Sequence, residues 1–422
     1  MRPALTQLRS LFGSPKDAVD TGVAEREAKA ITAGDTVQAA VLSAVLTSFW
    51  LVVSPLVQQP ACCDAGEYLR LARDPTSPML RPYSMRVLVP WLVHALGGDV
   101  VTTFHAVSLV CLAMTGWLMY LLARQLGVGH GYALLTTAAL LCSRGWLFFF
   151  YDPYLTEPAA FLLLTAAFLV LVRNRRTWLI APLLVLMAAT REQFVGFALP
   201  TYFWLSSHRR LDWRALSQTI GLLLPALVVF AALATLPHVL PPTPFSQPMG
   251  FAYTLDRRME GDGWLWFASA FAMSLGMWWP LAVASLRVDR FRRLSWWLIP
   301  VLAYLVLIGW DWSRYAMYAF PVVMAAGAWT IMRQRRYRPL LLAMVAFQAL
   351  LPIVDFVAGK PTLDDPGPSL PISLLLILAT IAVLFAGNRR RSARAERSDL
   401  ARASEPMPDG PLERQAPGGT AE

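Results

Sequence analysis

Two carboxylates and a tyrosine with the spacing of one helical face stand just after the first apolar stretch of the chain. Asp64, Glu67 and Tyr68 occupy positions i, i+3 and i+4, which an α-helix brings onto the same face. A carboxylate at such a place can act as a general base towards a hydroxyl group or help to bind a metal ion. The solvated face of a helix lying in the membrane interface accounts for the same spacing, so the pattern leaves both interpretations open.

Two arginines follow this acidic segment. Arg81 and Arg86 belong to the run Arg-Pro-Tyr-Ser-Met-Arg, which continues into an amphipathic stretch at 83–96. A guanidinium group binds two phosphate oxygens at once, so this pair fits a phospholipid-like ligand. Ordinary ion pairing with Asp64, with Glu67 or with lipid headgroups is the alternative.

A second acidic segment, Tyr151-Asp-Pro-Tyr-Leu-Thr-Glu-Pro158, contains two carboxylates and no lysine or arginine. Asp152 and Glu157 can flank a substrate or complete a metal site there, and the two prolines stiffen the segment. A structural explanation makes Thr156 the N-cap of the following helix and puts Glu157 in its first turn. It accounts for Glu157 better than for Asp152.

Two further segments each supply an arginine and a carboxylate at a membrane boundary. Arg191 and Glu192 interrupt an apolar stretch, and Asp311 and Arg314 lie within Trp-Asp-Trp-Ser-Arg-Tyr. Anchoring by aromatic rings at the membrane interface explains the tryptophans and the tyrosine. It does not explain Asp311 and Arg314, for which a local ion pair and a shared polar site are the alternatives.

The elements that carry these residues are predicted to be transmembrane helices. Hydrophobic residues make up 56% of the 422 residues and the mean hydropathy is +0.47, which excludes an ordinary soluble domain. The predicted fold is an all-α polytopic bundle of about twelve spans, with interfacial helices in the first outer loop. Residues 177–206 fit either two short broken helices or one tilted helix followed by a loop. The predicted spans are 36–57, 100–122, 131–150, 159–172, 177–190, 194–206, 216–236, 264–286, 294–309, 316–332, 339–357 and 371–387.

Arginines give the orientation of these spans. Arginine clusters occupy alternate short loops, and the positive-inside rule places those loops and both termini in the cytoplasm. Residues 1–35 are then a cytoplasmic segment, 36–387 the transmembrane domain and 388–422 a disordered cytoplasmic tail. The net charge of +10 is explained by these loops and their contacts with membrane lipids, so no nucleic-acid partner is expected. The acidic segments face outward from an inner (plasma) membrane, in the loops 58–99, 151–158, 237–263, 311–315 and 358–370.

With this topology the chain resembles the GT-C superfamily of integral-membrane glycosyltransferases over residues 36–387. The similarity rests on the motif Cys63-Asp-Ala-Gly-Glu-Tyr68 after the first span, on the interfacial helices, and on Tyr151-Asp-Pro-Tyr154. It implies a polyprenyl-phosphate-linked sugar as donor and a glycan, lipid or protein of the cell envelope as acceptor. The chain lacks the large soluble C-terminal domain of some members and an Asp-X-Asp motif in its first loop. Acceptor identity and the use of a divalent metal ion therefore stay open.

The resemblance also gives roles to residues. Asp64 matches the family's first-loop catalytic carboxylate and Asp152 its second acidic position, and arginines are expected to bind the donor phosphate. The catalytic candidates are Asp64, Asp152 and Glu67, and the substrate-binding candidates are Arg81, Arg86, Tyr68, Glu157, Arg191, Glu192, Asp311 and Arg314. Two rival functions remain. One is a transporter or flippase for a lipid-linked or anionic solute, which needs charges at mid-membrane depth such as Arg144. The other is a non-enzymatic membrane protein of envelope assembly.

Overall fold

The computed structural model describes residues 31–53, 64–79, 82–174, 176–206, 211–235, 269, 271–307, 312–357 and 369–403. Within these ranges the protein is all-helical, as predicted. Short 3₁₀ segments lie at Tyr83–Met85, Thr177–Leu179 and Glu192–Phe197. The helices are α1 (Ala33–Val53), α2 (Asp64–Arg73), α3 (Leu88–Leu96), α4 (Val100–Gln125), α5 (His130–Leu141), α6 (Arg144–Tyr151), α7 (Glu157–Arg173), α8 (Ile180–Ala188), α9 (Ala198–Leu205), α10 (Trp213–Ala234), α11 (Trp278–Ser285), α12 (Asp289–Ser295), α13 (Leu298–Leu307), α14 (Trp312–Met317), α15 (Phe320–Arg333), α16 (Arg338–Val357) and α17 (Ser369–Ala403).

Five helices in the described part of the chain are long and apolar enough to cross a membrane. They are α1, α4, α10, α16 and the Ser369–Gly387 part of α17, and α5 and α6 together make a sixth such span, bent by 53°. Other predicted spans correspond to shorter helices, such as α7 with 17 residues and α15 with 14 residues. At about 1.5 Å per residue, α15 is roughly 21 Å long and falls short of a hydrocarbon core of about 30 Å.

Large apolar side chains cover the outside of the long helices. Val52 of α1, Val228 of α10 and Leu375 of α17 are 76%, 60% and 64% exposed, and each helix carries further exposed valines or leucines. Apolar surface on this scale is unfavourable in water and is what a helix presents to lipid. The protein therefore has the surface of a membrane-spanning bundle.

The core is built around α4. Its N-terminus is capped by the Asp99 carboxylate, which accepts a hydrogen bond from the Thr102 N–H at 2.8 Å. From there α4 packs against α1, α5 and α7, and it buries Phe104, Leu112 and Met119. Beside it α8 packs on α10, and α11 packs on α15. The N-terminus of α7, where the second acidic segment ends, is thereby held inside the bundle.

Two breaks bring polar residues into the apolar bundle. Residues 177–206 are divided into short helical pieces, α8 and α9, with a turn and a 3₁₀ segment between them, so the first of the two predicted arrangements is observed. Between α5 and α6 the chain bends at Cys142 and Ser143. The Ser143 hydroxyl accepts a hydrogen bond from the Trp146 N–H at 3.3 Å and so begins α6. Irregular backbone inside a membrane protein occurs where it is buried in protein or lines a cavity.

Two short helices, α2 and α3, follow α1, where the sequence predicts interfacial helices. α2 packs against α3 and α4, and it buries Tyr68 and Leu69 against the main core, while Leu71 packs with Met79, Val87 and Leu233. Because this face is buried in protein, α2 is fixed on the bundle. The residues at its N-terminus, Asp64 first, are thereby placed over the ends of the membrane helices.

The last helix is longer than the sequence predicts. α17 continues to Ala403, past residue 388 where the predicted disordered tail begins. Residues 388–403 include six arginines and four alanines, which are strong helix formers and so favour continuation of the helix.

Candidate functional site

Asp64 begins α2 and receives hydrogen bonds from two sides. The Tyr83 hydroxyl donates to its Oδ1 at 2.6 Å, and the Arg314 guanidinium donates to its Oδ2 from Nη1 at 3.4 Å and from Nη2 at 3.3 Å. Burial acts to raise the pKa of Asp64, but Arg314 and the Tyr83 hydroxyl outweigh it, so the pKa is lowered. Asp64 is therefore ionised, and its side chain keeps 26% of its surface exposed.

Tyr83 is a hydrogen-bond donor whose partner keeps it protonated. Burial first, and then the negative charge of Asp64, raise the pKa of the Tyr83 hydroxyl. The hydroxyl thus donates to an ionised carboxylate, which is a strong, charge-assisted arrangement. Sequence analysis did not select Tyr83, although it lies in the run between Arg81 and Arg86.

Arg314 links Asp64 to a second carboxylate. Its Nη1 lies 3.4 Å from Glu157 Oε1, and its guanidinium carbon lies 5.9 Å from the centre of the Phe148 ring. The side chain of Arg314 is only 10% exposed. A guanidinium over an aromatic face keeps its charge in a partly apolar place, so the ring and the two carboxylates together hold Arg314.

Glu157 is the fully buried carboxylate of this arrangement. It is fully buried, it pairs with the equally buried Arg191, and it also contacts Arg314. The predicted cap is realised only in part: Thr156 holds the N-cap position of α7 but makes no capping hydrogen bond. Its hydroxyl donates instead to the Thr190 carbonyl at 3.5 Å, which ties the start of α7 to the end of α8. A buried carboxylate between two arginines is compensated in charge, as burial requires.

Arg86 and Glu192 form a bidentate ion pair beside Glu157 and Arg191. Arg86 donates from Nε to Glu192 Oε2 at 3.2 Å and from Nη2 to Oε1 at 2.7 Å. Arg86 Nη1 also donates to the Tyr68 hydroxyl at 3.1 Å, and the Tyr304 hydroxyl donates to Glu192 Oε1 at 2.6 Å. Because Arg86 has these short contacts in fixed directions, it is held more firmly than Arg314.

Asp152 follows the last residue of α6 and behaves differently from Asp64. Burial raises the pKa of Asp152 to about 6, and the charges of Glu157 and Asp64 add to the rise while Arg314 opposes it. The turn that carries Asp152 is tied to α4, because the Ser108 hydroxyl donates to the Pro153 carbonyl at 2.5 Å. Two carboxylates with pKa values pushed in opposite directions are the usual basis for dividing acid and base roles in a site.

These residues form two hydrogen-bonded groups, which interact with each other and with Asp152 through their charges, and we call the whole set the charge network. It has three cations and four carboxylates, so its formal charge changes from zero to minus one when Asp152 ionises. Its positive charge comes from arginines. In the ranges that the structure covers, no three His, Cys, Asp or Glu side chains are grouped so as to hold a metal ion. The network consists of Asp64, Asp152, Glu157, Glu192, Arg86, Arg191 and Arg314, with the hydroxyls of Tyr68, Tyr83 and Tyr304.

One described residue among the predicted site residues is not in this network. Glu67, predicted as catalytic, points away and pairs with Arg70 at 3.0 Å on the same helix, where both side chains are partly exposed. The reason is local, since residues three apart on a helix meet at its surface while Asp64 reaches across from its first turn. Arg81 and Asp311 lie outside the described residues.

Comparison with known proteins adds nothing to this picture. No protein-family model, no curated protein and no solved structure matches the chain. A function is therefore proposed from the network itself.

Proposed function

We propose that this protein is a membrane glycosyltransferase of the GT-C type. It would move a sugar from a polyprenyl-phosphate-linked donor to a cell-envelope acceptor on the outer side of the plasma membrane. The observation that carries the proposal is the contact of Asp64 with Arg314, within one network that also contains Asp152. A carboxylate base beside a cation is the pair of groups that inverting transfer from a phosphate leaving group requires.

The proposed topology completes the bundle with short helices. The six long spans would be supplemented by α7, α8, α9, α13 and α15 and by residues 264–286, to give about twelve membrane segments with both termini in the cytoplasm. Support comes from the arginine clusters, such as Arg333, Arg335, Arg336 and Arg338, which follow the C-terminal end of α15. The acidic segments that meet in the network then all belong to the outer side.

In the proposed reaction Asp64 acts as the general base. It takes the proton of the acceptor hydroxyl while that oxygen attacks the anomeric carbon from the face opposite the phosphate. The bond from the anomeric carbon to the phosphate oxygen breaks, and its electron pair leaves with the polyprenyl phosphate. The configuration at the anomeric carbon is inverted. Asp64 is partly exposed, so the hydroxyl group of an acceptor molecule can reach it from the aqueous phase.

Arg314 is the cation best suited to the leaving phosphate. Its contacts with Asp64 and Glu157 are 3.3–3.4 Å long, whereas Arg86 reaches Glu192 at 2.7 Å. The longer contacts cost less to exchange for a phosphate oxygen. An exchange of this kind would also remove the charge that depresses the basicity of Asp64, so donor binding would activate the base. Arg86 and Arg191 would contribute positive potential from fixed positions.

A transfer assay tests the proposal. Purified protein in lipid vesicles receives radiolabelled polyprenyl-phosphate sugars and membrane-extract acceptors, and Asp64→Asn is compared with Glu67→Gln. We expect transfer by the unmodified protein and by Glu67→Gln, and none by Asp64→Asn, which keeps size and hydrogen bonding but not basicity. Normal transfer by Asp64→Asn would refute its role. Solute movement by the protein in sealed vesicles without any sugar donor would support the transporter instead.

A further inference from the structure

A second buried ion pair lies apart from the charge network, where α6 begins. Arg144 Nη1 donates to Asp355 Oδ2 at 2.6 Å, and the two side chains are 5% and 2% exposed. Ser369 completes the cluster, because its N–H donates to Asp355 Oδ1 at 3.0 Å and its hydroxyl donates to Asp355 Oδ2. We call Arg144, Asp355 and Ser369 the clamp.

The clamp joins three helices at their ends. Arg144 is the first residue of α6, Ser369 is the first residue of α17, and Asp355 lies two residues before the end of α16. A carboxylate at the start of α17 binds an N–H group that has no partner within the helix. Arg144 thus pairs between helix ends and does not stand as a free charge at mid-membrane depth. The adjoining cavity of about 20 Å³ has room for a water molecule, and Gln348 and Ser373 are among its lining residues.

α6 connects the clamp to the charge network. It is eight residues long, about 12 Å, and Asp152 follows its last residue directly. One turn before that end, the Phe148 ring lies under the Arg314 guanidinium. The clamp therefore holds one end of α6, while the other end places two groups of the network.

Aromatic packing holds α6 against the bundle, and the clamp adds a charged contact at its first residue. Trp146 stacks on Phe161 with ring centres 5.6 Å apart and planes at 19°, and Phe149 meets the same ring edge-on at 5.2 Å. The apolar attraction between these rings is itself not directional. A buried ion pair has one favourable geometry, and its loss leaves a charge without compensation.

We propose that Arg144 and Asp355 are positioning residues: their pair fixes α6 along its axis and thereby keeps Asp152 in its partly buried place within the charge network. This inference rests on the proposed function only in treating Asp152 as part of a catalytic site. Without the pair, the N-terminus of α6 is free to shift, and water reaches Asp152 at the other end.

The titration of Asp152 reports on this position. The charges that face it are those of Arg314, Glu157 and Asp64, and the Tyr154 hydroxyl lies beside it. Burial is the largest cause of its raised pKa of about 6. Any movement that lets water in lowers that value towards the ordinary aspartate value of about 3.9.

The experiment measures this titration without requiring catalysis. Full-length protein in lipid vesicles is treated across pH 4–8 with dicyclohexylcarbodiimide, which adds to a protonated carboxyl in apolar surroundings and yields a stable N-acylurea. Peptide mapping by mass spectrometry gives the extent of modification at Asp152, and Asp152→Asn confirms the site. The variants are Arg144→Gln, Asp355→Asn and the double variant, with Ser373→Ala as a control that lines the same cavity.

We expect the midpoint for Asp152 to fall by about one pH unit or more in each single variant, as the burial effect is lost. The double variant removes both charges together, so it remains foldable even where a single variant is not. Its shift is expected to equal that of a single variant, because both changes break one interaction. Ser373→Ala is expected to leave the midpoint in place.

Two results would overturn the inference. One is an unchanged Asp152 midpoint in the double variant, even if its thermal denaturation temperature falls, because a merely structural pair would lower stability alone. The other is a shift in Ser373→Ala equal to that of the double variant. A failed transfer assay with unmodified protein would instead count against the glycosyltransferase and leave the labelling result standing.

Discussion

Arg314 and Asp64 meet across 250 residues of sequence, and both terminal nitrogens of the guanidinium face a single carboxylate oxygen, at 3.4 and 3.3 Å. The same guanidinium shares its charge with Glu157 at 3.4 Å. This divided pairing distinguishes Arg314 from Arg86, which is committed to Glu192 by two bonds. Because its contacts are longer and shared, Arg314 is the cation that we propose exchanges a carboxylate for a phosphate oxygen.

Replacement of Arg314 by lysine tests this role. An ammonium group keeps the charge but cannot face Asp64 and Glu157 with one planar fork, so transfer is expected to fall by about tenfold or more. The measurement is the initial rate of sugar transfer at saturating acceptor. Arg292→Lys, in an exposed pair with Asp289, serves as the control and is expected to have no effect. Full activity of Arg314→Lys would mean that the fork geometry is not used.

Replacement of Tyr83 by phenylalanine removes the hydroxyl that donates to Asp64 at 2.6 Å. The Tyr83 hydroxyl holds the Asp64 carboxylate in one orientation, so we expect its loss to lower the transfer rate by roughly tenfold even though the base becomes stronger. The pKa of Asp64 is expected to rise, because one of the contacts that stabilise its ionised form is lost. A carbodiimide titration at Asp64 checks that direction.

The control for this variant is Tyr202→Phe. Its hydroxyl accepts a hydrogen bond from the Asp212 N–H at 3.1 Å and is not one of the hydroxyls of the charge network. A rate loss of the same size in both variants would show a general effect on folding and not a role for the Tyr83 hydroxyl.

Donor binding is expected to weaken as the pH rises through about 6. Below the raised pKa of Asp152 its carboxyl is neutral, and above it the network carries one more negative charge. A sugar-phosphate diester keeps its single negative charge across this range, so repulsion from Asp152 is expected to lower its affinity by about tenfold at most. Binding of the donor to vesicle-embedded protein at pH 5 and pH 7 measures the effect.

The variant Asp152→Asn removes this pH dependence if Asp152 is its source. The asparagine amide at position 152 is neutral at every pH. The affinity of this variant for the donor is therefore expected to stay, at both pH values, near the affinity that the unmodified protein has at pH 5. Equal affinity at pH 5 and pH 7 in the unmodified protein would contradict the prediction. The same pH dependence in Asp152→Asn would assign it to another group.

Glu157→Gln is expected to destabilise the fold more than any other single change in the network. The side chain is fully buried and compensates Arg191 and Arg314, so its neutralisation leaves two buried cations with one acceptor fewer. Breaking a buried pair in this way costs about 3–5 kcal/mol. Thermal denaturation in detergent gives the change, with Glu67→Gln as a control at an exposed pair that contributes at most about 1 kcal/mol. An unchanged denaturation temperature would contradict the role of Glu157 in compensating the two buried arginines.

Local sequence patterns predicted most of the elements and several members of the network. The acidic segment at 64–73 forms the predicted helix, and the apolar runs form helices in the predicted order. Glu67 shows the limit of such patterns. Helical spacing places it on one face with Asp64, but spacing does not reveal that Glu67 meets Arg70 at the surface while Asp64 reaches Arg314 across the bundle.

Two residues illustrate what the tertiary structure adds. Asp355 lies in an apolar helix and carries no motif, and it becomes the partner of Arg144 only because α16 ends beside the start of α6. Tyr304 looks like an interfacial aromatic ring, yet its hydroxyl reaches Glu192 at 2.6 Å. Neither contact is encoded within a local stretch of sequence.

The sequence by itself determined that this protein is helical and membrane-spanning, because apolar content and helical periodicity are properties of neighbouring residues. It also marked most of the charged residues that need partners, because an isolated charge in an apolar chain is costly. Only the tertiary structure decided which partners they have. Pairings such as Arg314 with Asp64 and Arg191 with Glu157 join residues far apart in sequence, and their geometry depends on how the helices pack. The split between an ionised Asp64 and an Asp152 with a raised pKa has the same origin, since burial and neighbouring charges set it.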